Sequence, residues 1–170
     1  RGLGDVYKRH VINILSNDTK GSYDAVQYLI NNNHKKIGMI QGNLEFESST
    51  YRKKGYIMAL EENNINVNND YILSGKYTLE SGYHNMKKLL DLEDKPTAVF
   101  CANDDIAVGA MKAIFESGLR VPDDISIIGF DNSNFCNYVT PTLTSVKKDS
   151  LTMSEIGGIN CLLYTSPSPR

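Results

Sequence analysis

A chain of 170 residues, 41% hydrophobic and 22% charged, has the make-up of a soluble globular domain with room for a real core. Its formal net charge of -2 carries no electrostatic footprint for nucleic acid, and its apolar runs are too short for a transmembrane helix. The three cysteines, Cys101, Cys136 and Cys161, are an odd and widely spaced set. They form neither a disulfide framework nor a CxxC metal pair, and they fit a reducing compartment.

In chain order, VINILS (11–16) is a short strand-forming run. Residues 19–33 place Tyr23, Val26, Gln27 and Ile30 at helical spacing, with Asp18 or Thr19 as N-cap and Asn31-Asn32-Asn33 as the stop. KIGMIQG (36–42) is a buried strand ended by Gly42. Residues 48–63 are an amphipathic helix with Tyr51, Tyr56, Ala59 and Leu60 on one side and Arg52, Lys53, Glu61 and Glu62 elsewhere. The Ser48-Ser49-Thr50 cluster lacks a nearby His base and serves as its N-cap. A polar loop (63–70) leads to a strand at 71–75, then to a helix over 79–92 with Tyr83, Met86, Leu89 and Leu90 inward. A strand (97–102), a helix (104–117) stopped by Gly118, strands at 125–130 and 143–147, and a helix starting over 151–160 complete the pattern. The alternation predicts an α/β fold with a doubly wound parallel sheet, its strands apolar throughout because helices cover both faces.

The two ends differ from this pattern. RGLGDVYKR (1–9) and CLLYTSPSPR (161–170) resemble in-frame translations of a sequencing-library adapter, and are expected to be foreign to the natural segment at 10–160.

Two strands end in polar residues, Asn103-Asp104 and Asp131. In an open parallel sheet, ligands bind outside the carboxyl ends of the strands. The Asp131 carboxylate can accept hydrogen bonds from ligand hydroxyls or form an Asx turn. Either Asn103 or Asp104 caps the next helix while the other faces the cleft. Tyr77, after the strand at 71–75, can stack on a ring or anchor its loop. Arg52 beside Lys53 and Lys54 reads from its neighbours alone as a solvated charge. His34, at a helix end, makes a helix-dipole contact. No catalytic, metal or cofactor motif is present: there is no GxSxG, GxxxxGK[ST] or GxGxxG after a strand.

Several strings together resemble one family. YLINNNHKKIGMIQG (28–42), YRKKGYIMALEENNI (51–65), SGYHNMKKLL (81–90), PTAVFCANDDIAVGAMKAIFESGLRVPDDISIIGFDN (96–132) and TPTLTSVKKD (140–149) are similar, in order and spacing, to the effector-binding core of LacI/GalR-type (lactose-repressor) bacterial transcription regulators. The resemblance implies a type I periplasmic-binding-protein fold of two α/β lobes. Residues from about 17 to 147 would form the C-terminal lobe, and 148–160 the return into the other.

It also assigns roles. Arg52 matches the family's R-x-x-G-[FY] arginine, which overturns the solvated reading. Asn103 matches the asparagine of A-N-D, and Asp131 the end of I-G-[FY]-D. Tyr77 stands where the family often has an aromatic, and Phe46 and Ser48 lie in a segment that varies with ligand. The family often has Asp-Asn before the first helix, whereas Ser16-Asn17-Asp18 stands here and leaves the role of Asp18 open. The implied protein is a cytoplasmic homodimer, with no membrane partner, that senses a sugar or sugar phosphate. It reaches operator DNA only through an N-terminal helix-turn-helix outside this chain. The helices 19–33 and 104–117 are candidate dimer elements. A periplasmic sugar-binding protein of a transporter is the alternative, and an α/β enzyme a remote one.

Overall fold

Short apolar runs supply the strands, and every connection but the last carries an α-helix. The computed structural model describes residues 12–14 and 18–148. The elements are β1 (Ile12–Ile14), α1 (Asp18–Asn31), β2 (Ile37–Gln41), α2 (Glu47–Glu62), β3 (Ile72–Ser74), α3 (Leu79–Leu90), β4 (Ala98–Cys101), α4 (Asp104–Glu116), β5 (Ser126–Phe130) and β6 (Thr144–Lys148). Short 3-10 turns at Asn69–Tyr71 and Asn134–Asn137 precede β3 and β6. The six strands form one sheet in the order β1-β6-β5-β4-β2-β3, and every pair is parallel. The expected doubly wound sheet is therefore present. The expected helix at 151–160 and both end segments lie outside the described residues.

The strands bury both faces, and alternate residues divide between two cores. Ile37, Met39, Ala98, Phe100, Ile128 and Phe130 pack under α1 and α2. Ile40, Val99, Cys101 and Ile127 pack under α3 and α4. Within the second core the helices touch backbone to backbone. A Cβ on Gly82 would lie 2.1 Å from the Ile106 carbonyl oxygen, and one on Gly109 would lie 1.9 Å from that of Leu79. Only glycine at both positions admits that approach.

The α1 stripe sits one step from its expected place. Ser22, Ala25, Val26 and Leu29 are buried, whereas Tyr23 and Ile30 only flank the core. Small residues win these positions because α1 crosses α2 closely. On α2 the buried stripe is Arg52, Gly55, Tyr56 and Ala59, and Tyr51 points outward, 47% exposed. Helix ends follow their signals. Asn33 (φ 68), Asn64 (φ 56) and Gly118 (φ 74) take the left-handed conformation just past α1, α2 and α4.

Candidate functional site

In this order of strands the chain reverses direction between β2 and β4, and the crevice at such a switch point is where ligands bind. The segments leaving β5, β4, β2 and β3 stand side by side at the same edge. They carry Asp131, Asn103, the 43–49 segment and Tyr77. All six residues expected at the site therefore belong to one region.

Arg52 organises it. The residue is 4% exposed, and its guanidinium lies over the Phe130 ring, 3.9 Å from the centroid. Nη1 donates to the Ala102 carbonyl. Nη2 donates to Asp18 Oδ1 at 3.3 Å and to Asp131 Oδ1 at 3.1 Å, and Nε to Asp18 Oδ1 at 3.4 Å. A buried charge needs such partners, and a desolvated cation over a ring adds about 2 kcal/mol of attraction. The side chain of Asp131 is 40% exposed, so its carboxylate keeps a free side toward the edge. Asp18 opens α1 with its side chain only 16% exposed, which assigns the residue whose role the sequence left open.

Asn103 is the N-cap of α4. Its Oδ1 accepts from the Ile106 amide at 3.0 Å, and the residue is half-buried at the strand-end edge. The expected division of labour with Asp104 does not occur. Asp104 is 1% exposed and points into the lobe, toward β6 and residue 133, not toward the cleft. Its Oδ2 accepts from the Ser133 amide at 2.6 Å and its Oδ1 from Ser145 Oγ at 2.5 Å. Burial pushes its carboxyl above the usual range, and the Ser133, Ser145 and Cys136 donors pull it back.

Tyr77 lies against β2: a Cβ on Gly42 would be 2.2 Å from its ring. Its hydroxyl meets Ser49 Oγ at 2.7 Å and Ser48 Oγ at 3.3 Å. Phe46 stands 6.0 Å from Tyr77, ring to ring, tilted by 57° and 56% exposed. Phe46 itself occupies the N-cap position of α2, with no side-chain capping bond. The serines expected to cap instead bind Tyr77, and Ser49 Oγ also donates to the Asn43 carbonyl at 2.8 Å. An uncapped aromatic at a helix start sacrifices local stability, which fits a residue kept for contact.

His34 also departs from expectation. Its ring bridges Thr97 Oγ1 (2.9 Å) and Ser126 Oγ (3.0 Å) at the opposite edge of the sheet, and burial lowers its pKa.

Of the residues in this arrangement, sequence reasoning left the role of Asp18 open, offered Asp104 as a cap or a cleft residue, and missed Ser145. The signal for the first two was their place at helix starts, where acidic residues serve equally as plain caps.

Residues 26–156 match the model of the periplasmic binding protein-like domain. The probable HTH-type transcriptional repressor ExuR of Bacillus subtilis is 50% identical over 167 residues, covering 98% of this chain and 50% of that protein. A sugar-binding LacI-family transcriptional regulator from Escherichia coli, solved in complex with phosphate, superposes with a TM-score of 0.84 at 35% identity, covering 91% of this chain and 56% of its own. The transcriptional regulator CelR, solved with cellobiose, gives a TM-score of 0.82 at 27% identity, over 99% of this chain and 52% of its own. The chain spans about half the length of these relatives. Domain model and relatives agree: the chain belongs to the periplasmic-binding-protein-like family and corresponds to the effector-binding core of LacI-family regulators.

Proposed function

We propose that this chain is the sensing half of a DNA-binding transcriptional regulator. A small polyhydroxylated molecule, a sugar or sugar phosphate, is held at the C-terminal edge of the sheet against Arg52, Asn103 and Asp131. Tyr77 and Phe46 supply an apolar face, and Ser48 lies beside them. A second lobe would cover the ligand. Lobe closure would alter a homodimer's affinity for operator DNA through an N-terminal helix-turn-helix, which requires the ligand to bind the two states unequally. The site works by binding, with no turnover, and the protein acts in the cytoplasm. No helix among the described residues is long and apolar enough to cross a membrane.

The observation that carries this reading is the pairing of Arg52 with Asp18 and Asp131 at the strand ends. It holds the half-free Asp131 carboxylate in a fixed orientation at the edge, where it can accept from ligand hydroxyls. The relatives named above are regulators, which favours this reading over a transport receptor. The test is operator binding by fluorescence anisotropy with the intact protein. Sugars drawn from its genomic neighbourhood should shift operator affinity in the wild type and leave it unmoved in Asp131→Ala. A ligand response that survives both Asp131→Ala and Arg52→Ala sinks the site.

A further inference from the structure

We infer that Asp104 is the positioning residue of this site: its buried carboxylate holds the turn 131–133 and thereby aims Asp131 at Arg52, without touching the effector. The inference rests on the reading of Arg52 and Asp131 as the ligand-holding pair.

The turn needs holding. Asp131 (φ 95) and Asn132 (φ 52) are consecutive non-glycine residues in the left-handed region. Such a pair is strained and persists only where its surroundings over-determine it. Here three successive amides are tied. Asp131 N–H donates to the Val146 carbonyl at 2.9 Å, Asn132 N–H to Ser145 Oγ at 2.9 Å, and Ser133 N–H to Asp104 Oδ2 at 2.6 Å. Ser145 is itself oriented by donating to Asp104 Oδ1 at 2.5 Å. Two of the three ties therefore end on one carboxylate.

Its place in the fold is specific. Asp104 follows Asn103 at the start of α4, so one helix start presents the amide proposed for the ligand and a carboxylate that orders the neighbouring loop. β5 makes room for it: a Cβ on Gly129 would lie 2.3 Å from Asp104 Oδ1. A helix-dipole role would not require burial, and the next residue, Asp105, stands in the same first turn.

Two variants test this in the full-length protein. Asp104→Asn keeps the shape but places an N–H2 among groups that donate. Gly129→Ala keeps the carboxylate and displaces it. Hydrogen exchange read by mass spectrometry needs no ligand. In both variants the peptide covering 131–133 should exchange at least tenfold faster, with α1, α2 and β2 unchanged. Unaltered protection at 131–133, or a loss spread evenly through the lobe, overturns the proposal. Calorimetry with D-glucose, D-galactose, D-ribose and cellobiose supplies the second arm. Any of these that binds the wild type should bind both variants at least tenfold more weakly, and equal affinity again overturns the proposal. If Arg52→Ala and Asp131→Ala also bind it normally, the ligand site itself is misassigned, and the exchange result alone decides the role of Asp104.

Discussion

The two edges of this sheet are built from the same strands and do opposite things. At the amino-terminal edge, polar groups close on each other. His34 bridges Thr97 and Ser126, Lys36 pairs with Asp94, Tyr71 Oη donates to the Asp94 carbonyl, and Tyr56 Oη to that of Ile37. The left-handed residues there, Asn33, Asn64 and Gly118, all sit just past helix ends. At the carboxyl edge, charges are buried but incompletely covered, two consecutive residues are strained, and a phenylalanine stands at an N-cap. One edge satisfies its own groups; the other keeps them available. The parallel sheet makes that separation possible because all strand ends of one kind meet at one edge.

The largest expected effect breaks the carboxyl edge outright. Arg52→Ala leaves Asp18 and Asp131 facing each other without their cation and removes the stack on Phe130. Stability should fall by about 3 kcal/mol, as for other broken buried pairs, seen in a urea titration. Effector affinity should drop about a hundredfold. Tyr77→Ala should lose about tenfold in affinity through the missing ring face, and Tyr77→Phe less; calorimetry separates the two.

Phe46→Ser sharpens the contrast because it should move stability and binding in opposite directions. A capping serine should stabilise α2 by about 0.5 to 1 kcal/mol, while loss of the exposed ring weakens binding a few-fold. A variant that gains in both would show that Phe46 is not a ligand contact.

The smallest effect belongs to the amino-terminal edge. Burial lowers the His34 pKa, so the unfolded chain takes up its proton first as pH falls. The neutral bridge therefore contributes fully above about pH 6.5 and is lost as pH drops below that. His34→Gln should flatten the decline of the urea midpoint between pH 7.5 and 5.5 and leave effector affinity unchanged.

The strands and helices were legible because apolar runs of four or five residues alternated with helical spacing. The site was legible in part. Asp131, Asn103 and Tyr77 follow strand ends, a position readable from order alone. Arg52 was not readable from its neighbours: Lys53 and Lys54 made it look solvated, yet Arg52, Gly55, Tyr56 and Ala59 fall on one helical stripe. Its membership shows only when a charge is allowed inside that stripe. Tyr51 was misplaced for the same reason, an aromatic being assumed to face inward. Asp104 could not be told from a cap, because its partners Ser133 and Ser145 are 29 and 41 residues away.

The stack of Arg52 on Phe130 has a thermodynamic consequence. An arginine side chain carries about 2 kcal/mol of rotamer entropy, and here that freedom is surrendered when the lobe folds, before any ligand arrives. Binding then meets an Asp131 carboxylate that this fork already holds in place. Discrimination between sugar epimers should accordingly come from fixed geometry, with slow dissociation of the matching isomer, rather than from a side chain that settles around whatever enters.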